Sequence, residues 1–459
     1  MSTTNQQASA NDISAENLKH VLFPWSQQGG LGAIPVTRAE GVFFWDADGK
    51  RYIDFASQLV CVNAGHQHPK IIKAIQDQAE TLCYAAPSFA TDVRGKLARM
   101  IAEVTPGDLT KSYFTCGGAE SNDYAVKIAK MVTGRPKVIA RYRAYHGASH
   151  GAISLTGDWR RAYNEPGMVG ALHSFQPYCY RCTFGQEPET CNRECVSSLE
   201  EMIEFENPDF VAAIIVESIA GVAQGVYLPP DDIMPRLRAL CDKYGILLIA
   251  DEVMSGWGRT GKWFAMDHWD VVPDILSTAK GLTNSMVPLG AVVVSQKIAD
   301  YMEDHTLWSG STYSGHALAC AAGIASIEVY QEEGLIENSA KLGEVLAQVL
   351  GEIKAKHPSV GDVRAKGLFG AIELVKNRET RERLMPIKEE PYTTKGGMSA
   401  IKKTLAEGGV YTLNRPNLLS IAPPLCITEE QLREGLAVID KSLDHADAML
   451  DSAGRVAAQ

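Results

Sequence analysis

The chain has 459 residues, 45% of them hydrophobic and 22% charged, with a formal net charge of −11. That is the composition of an ordinary globular protein with a large core, and the length suggests two or more domains. An acidic balance without a basic block gives no electrostatic footing for nucleic acid, and no apolar run is long enough to span a bilayer. The opening MSTTNQQASANDIS is polar and lacks the apolar stretch of a secretory signal. Cytoplasmic residence with reduced thiols is the expectation for its ten cysteines.

In chain order, the first element is GVFFWDADGKRYIDF, residues 41–55, which alternates apolar residues around Asp48-Gly49 and predicts a β-hairpin. PKIIKAIQDQAETL, from Pro69, has helical spacing. Strands and helices then alternate: KSYFTCGG into AESNDYAVKIAKMV, PKVIARY into the loop YHGASHG, DFVAAIIVE, the helix DDIMPRLRALCDKYG, and then ILLIADE, ILSTAK and GAVVVS. Continuous β-branched runs between helices predict a largely parallel sheet covered on both faces. After the helical GHALACAAGIASIEVY, the tail carries LFGAIEL, VYTL, LLSIAPP and the helix TEEQLREGLAVIDKSL. The fold class is therefore α/β, with a large domain over 66–335 and a smaller α+β domain built from 1–65 and 336–459.

Ligands of open α/β sheets bind outside the carboxyl ends of the strands. Three predicted strands end in ionisable groups: AAIIVE at Glu217, ILLIADE at Asp251 and Glu252, and ILSTAK at Lys280. Together they would set two acids and an amine around one crevice. A fourth strand passes through Gly117 and Gly118 into a helix, whose N-terminal N–H groups suit a phosphate. Neither G-x-x-x-x-G-K-[ST] nor a G-x-G-x-x-G after the first strand is present, which disfavours nucleotide readings. A lysine, a nearby acid and a phosphate cradle suggest pyridoxal 5′-phosphate, with the lysine holding the aldehyde and the acid pairing with the ring nitrogen.

From GVFFWDADGKRYIDF to APPLCITEEQLREGL the chain resembles the class III (ω-) aminotransferases, of fold type I among pyridoxal-phosphate enzymes. The most specific stretch is LLIADEVMSGWGRTGKWFA, with Lys280 lying 29 residues after Asp251. The resemblance implies Lys280 as the lysine that holds the cofactor and Asp251 as the partner of its ring nitrogen. It implies Val253 on one ring face, Tyr145 of YHG on the other with His146 beside it, and Gly118 and Ala119 on the phosphate. Glu217 would lie near the ring oxygen. Thr312 of GSTYSGH would reach the phosphate of a partner subunit, which makes the protein an obligate homodimer, with a tetramer as the larger alternative. Two departures stand out: Ala119 where the family often has serine, and Ser218 where it often has proline.

The implied reaction is ping-pong transfer from an amino donor to a 2-oxo acid, 2-oxoglutarate or pyruvate. Arg415, in TLNRPNLLSIAPP, matches the family's arginine for substrate acid groups, and Trp25 of FPWSQQ offers a pocket wall. The pattern looks most like taurine and related ω-amino acid transaminases; 4-aminobutyrate, β-alanine or simple amines are alternatives, as is an aminomutase or decarboxylase on the same fold. His66, His68, His146 and His150 are read as loop and structural residues, and no metal is assigned to the catalysis. Outside this scheme stands CYRCTFGQEPETCNREC, whose Cys179, Cys182, Cys191 and Cys195 are spaced C-x2-C-x8-C-x3-C. That spacing suits either a structural zinc or cluster site or a loop of reduced cysteines.

Overall fold

The computed structural model describes residues 9–222, 224–386 and 397–456. Its centre is a seven-stranded sheet with strands in the order Leu109–Thr115, Gly290–Ser295, Ile275–Thr278, Leu247–Asp251, Val211–Glu217, Lys137–Arg141 and Ala171–Ser174. Gly290–Ser295 runs antiparallel to both neighbours, and the remaining pairings are parallel. Every residue of Val211–Glu217, Leu247–Asp251 and Ile275–Thr278 is buried, which explains why the first two read as unbroken apolar runs up to their terminal acids rather than alternating ones. The helix Gly118–Thr133 covers one face through Ala125, Val126 and Ala129. Glu194–Phe205 and Ile233–Tyr244 cover the other through Leu199, Ile203, Leu237 and Leu240.

The hairpin forms as Phe43–Asp46 against Arg51–Asp54, with Phe44 opposite Tyr52. At its turn, Asp46 Oδ1 accepts from the N–H groups of Asp48 and Lys50, and Gly49 takes a φ of 81° that glycine adopts without cost. Val410–Tyr411, from near the other end of the chain, adds to this sheet in parallel, Val410 opposite Ile53. A second small sheet, all antiparallel, holds Val360–Ala365, Gly370–Leu374, Leu418–Ile421 and Asn414–Arg415. The helix Ala317–Glu332 packs against the helices Pro69–Thr81 and Asp92–Val104 and the turn Lys280–Thr283, buried nearly all round, as its lack of a polar face requires.

The register of the central strands positions the chemistry. Glu217 pairs with Asp251, and Asp251 pairs with Ser277. The carboxyl ends of three neighbouring strands therefore lie side by side, with Lys280 just beyond the third.

Candidate active site

Lys280 does not end a strand, as the sequence suggests. The strand stops at Thr278, and Lys280 opens a 3₁₀ turn over Lys280–Thr283. Its backbone is left-handed, φ 51°, a conformation costing a non-glycine residue about 1–2 kcal/mol. Neighbours hold the turn in place: Tyr330 Oη donates to Gly281 O at 2.7 Å, and Trp257 Nε1 donates to Thr278 Oγ1 at 2.6 Å. Burial holds the Lys280 amine below the usual lysine value, against the opposing pull of Cys61, Asp251 and Glu217. A depressed lysine is the neutral, nucleophilic form more of the time.

Asp251 is 4% exposed. Its Oδ2 accepts from Asn122 Nδ2 at 2.7 Å and lies 2.8 Å from His146 Nδ1, while Oδ1 accepts from the Val253 N–H at 3.1 Å. Asn122 also donates to His146 O at 2.8 Å, so helix, loop and strand end are tied at one carboxylate. The neighbouring acid goes elsewhere. Glu252 is fully buried and accepts from Ser218 Oγ, Ser255 Oγ and the N–H groups of Ala265 and Met266. Successive strand residues face opposite sides, so only Asp251 looks toward the lysine side.

Glu217 joins the rim through its backbone partners: Oε1 accepts from Tyr145 N at 2.8 Å and Oε2 from Gly221 N at 2.7 Å. Burial pushes its carboxyl up to about 7, with Asp251 adding to the rise and His146 opposing it. Tyr145 is thus held by the strand end. Arg160 lies 4.1 Å over its ring and 5.2 Å over that of Trp25, which itself meets Tyr145 edge-on at 6.2 Å.

The helix Gly118–Thr133 starts beside this group. Ser121 Oγ, in its first turn, donates to Thr278 O at 3.2 Å. A Cβ on Gly118 would stand 2.5 Å from Val253 Cγ1, so only glycine lets the helix start and Val253 approach so closely. Ala119 packs against Gly147 of the YHG loop in the same way. The leading N–H groups of a helix have no carbonyl within it and are open to an anion. Thr312 is exposed, its carbonyl accepting from Tyr84 Oη at 3.0 Å.

Arg415 sits at the end of a tight hairpin through Pro416 and Asn417, opposite Leu418. It lines a cavity of about 270 Å³ with Arg143, Arg383, Tyr178, Tyr227 and Glu373; Lys280 is not among the lining residues. Glu373 is paired with Arg181 and Arg364 and hydrogen-bonded by Tyr178. Burial, then Arg181 and Arg143, hold Arg383 below the usual guanidinium value.

Four buried or cleft groups were not legible in advance: Asn122, Arg160, Arg143 and Arg383. Asn122 alone carried a signal, one helical turn beyond Gly118 and hence on the same face. The histidines pair separately, His66 with Asp54 at 2.9 Å, His68 with Glu333 at 2.8 Å and His146 with Asp251, while His150 is exposed.

The family model for aminotransferase class-III matches residues 26–443. The chain belongs to the class III aminotransferases. It is similar in structure to taurine:2-oxoglutarate aminotransferase from Bifidobacterium kashiwanohense, solved with pyridoxal phosphate and glutamate, with a TM-score of 0.91 and 43% identity over 97% of this chain and 100% of that one. It is 35% identical to a leucine/methionine racemase of Thermococcus litoralis, over 92% of this chain and 93% of the relative. It is 34% identical to a putrescine–pyruvate aminotransferase of Pseudomonas aeruginosa, over 98% and 99%. The fold of this aminotransferase is that of the fold type I enzymes, and its cofactor is pyridoxal 5′-phosphate. The local chemistry fits that group: a buried carboxylate, a depressed amine, and a helix start packed so closely on Val253 that a methyl there would clash. Among the described residues no helix is long and apolar enough to cross a membrane.

Proposed function

We propose that this aminotransferase takes its amino group from an acidic ω-amino donor of the taurine type and passes it to a 2-oxo acid, 2-oxoglutarate or pyruvate. The cavity at Arg415 carries the reading. Three arginines line it, and its two acids are already paired, Asp158 with Arg160 and Glu373 with Arg181 and Arg364. Burial first, and then Arg181 and Arg143, disfavour the charged form of Arg383, and an entering sulfonate or carboxylate would favour it. Donor and acceptor share one site in a two-stage transfer, so one acid-binding cavity serves both.

When bound, pyridoxal phosphate stabilises negative charge at the amine-bearing carbon. Lys280 holds the cofactor and, once displaced by the donor, its Nζ carries the proton removed from that carbon. Asp251, oriented by Asn122 and His146, would pair with the ring nitrogen. Tyr145 and Val253 bound the ring's two faces, while the N–H groups of Gly118 and Ala119 hold the phosphate. Thr312 belongs to the phosphate site of a second copy in a homodimer. The exposed aromatic side chains around it, Trp308 at 75% and Tyr313 at 59%, support a covered face there.

The test is a matrix of donors and oxo acids assayed on wild type and Arg415→Ala. A bidentate charged contact is worth about 1.5–3 kcal/mol, so kcat/KM for taurine is expected to fall about tenfold to a hundredfold. A donor with no acid group should lose far less. Turnover of neutral amines with none of taurine, β-alanine or 4-aminobutyrate would overturn the acidic-donor reading.

A further inference from the structure

The four cysteines that the sequence groups have no part in the chemistry above. Cys179 opens a 3₁₀ turn, Cys179–Arg181, with Cys182 just after it, while Cys195 lies in the first turn of the helix Glu194–Phe205. Between Cys182 and Arg193 the chain has neither helix nor strand. Even so, it folds back so that Cys179, Cys182, Cys191 and Cys195 all line one narrow crevice, together with Phe184, Pro188 and Pro230. All four are free thiols and none is fully exposed.

The spacing of the sulfurs is informative. A single zinc ion with bonds of about 2.3 Å draws its four thiolates to within roughly 3.8 Å of one another. Here no three of the four sulfurs lie within 4.8 Å of one another. A cluster of several irons and sulfides is wider than one ion and holds its thiolates further apart. Two arginines attend the group: Arg193 Nη1 donates to Cys191 Sγ at 2.7 Å, and the charge of Arg141 is felt at Cys195. Cationic N–H donors to ligating sulfur are the usual compensation for an anionic thiolate cluster.

We propose that Cys179, Cys182, Cys191 and Cys195 ligate an iron–sulfur cluster that fastens this insert beside the large sheet. On ligation each thiol gives up its proton and its sulfur bonds one iron of a cluster assembled from two ferrous irons, two ferric irons and four sulfides, so no oxidation state changes. The cluster is a staple whose effect reaches the substrate cavity through Tyr178. That residue lines both the cysteine crevice and the cavity of Arg143 and Arg415, and its Oη bonds Glu373. Arg381, which donates to Tyr180 O at 2.8 Å and pairs with Glu187 at 3.1 Å, clamps the other side of the same insert.

The full-length holoenzyme, produced with added iron and purified without oxygen, would be assayed for iron, acid-labile sulfide and zinc. About four irons and four sulfides per chain are expected, with a broad visible absorption that dithionite alters. Cys182→Ser and Cys191→Ser should each lose most of the iron. Should either variant fail to fold, wild-type protein stripped of iron by a chelator and then rebuilt with equal ferrous and ferric iron plus sulfide decides the matter. Stripping should lower the thermal midpoint and raise KM for the acidic donor more than it lowers kcat, and rebuilding should restore both. One zinc per chain, two disulfides found by mass spectrometry in anaerobic material, or iron-free protein with unchanged stability and KM would each overturn the proposal.

Discussion

His146 Nδ1 and Asp251 Oδ2 lie 2.8 Å apart, and neither side chain is reachable by solvent beyond a few per cent. The carboxylate can only accept, so the network assigns the ring proton to Nδ1. Asn122 donates to the same oxygen. The acid is thus fixed in place by two side-chain donors, one from a helix and one from a loop.

Removing only that charge is therefore a clean experiment. In Asp251→Asn the amide oxygen still meets Asn122 and His146, at the loss of the Val253 N–H bond to Oδ1, and the fold should stand. We expect kcat to fall by two to three orders of magnitude, the cost of losing one central electrostatic group. A circular dichroism spectrum matching wild type, measured beside the kinetics, separates this from misfolding. Kinetics within tenfold of wild type would contradict the role.

Lys280→Ala should abolish turnover and the visible absorption of covalently held cofactor. Burial of this amine is unfavourable to its charged form and its backbone is left-handed. The thermal midpoint of cofactor-free Lys280→Ala is accordingly expected to be no lower than that of cofactor-free wild type. A marked drop would mean that the lysine serves the fold.

The contact between Gly118 and Val253 gives a paired test. Gly118→Ala forces its new methyl against Val253, which stands 2.5 Å from that position. Cofactor affinity should weaken by about tenfold or more, since overpacking costs 1–3 kcal/mol. Val253→Ala in the same chain opens the space, and the double variant should bind cofactor more tightly than Gly118→Ala alone. Additive losses in a titration with pyridoxal phosphate would count against this packing.

Glu217 predicts a pH dependence of stability. Burial raises its carboxyl from 4.5 to about 7, so between those values the folded chain keeps a proton that the unfolded chain releases. The stabilisation is fully present below about 4.5 and is lost as pH rises through about 7, a change of up to about 3 kcal/mol. Glu217→Gln does not titrate. Its deficit in thermal midpoint against wild type should be largest near pH 5 and shrink toward pH 8. A deficit that grows with pH would refute the assignment.

The shared rim of Lys280 and Asp251 was legible because Asp251 stands where an apolar run stops and Lys280 lies just past the end of the next strand. The same reasoning set Glu252 beside Asp251, although strand alternation sends it to the far side among Ser218 and Ser255. Arg143, Arg160 and Arg383 were illegible for another reason. An arginine in a polar loop looks like any solvated arginine until the fold brings an aromatic ring or a second arginine against it. The strand Val360–Ala365 escaped notice because Asp362 and Arg364 break its apolar pattern, and both charges are paired, with each other and with Glu373.

The pairing of Ile53 with Val410 sets a timetable for synthesis. Translation proceeds at about 5–20 residues per second, so the hairpin strand Arg51–Asp54 waits on the order of tens of seconds for the segment that closes its sheet. Through that interval its outer edge offers unpaired N–H and C=O groups to any neighbouring chain. Nascent chains of this enzyme that stop before residue 410 therefore keep a sticky edge at their oldest end. Yield in a crowded cell should depend on keeping that edge covered until the chain has emerged past residue 410, within its last ninth.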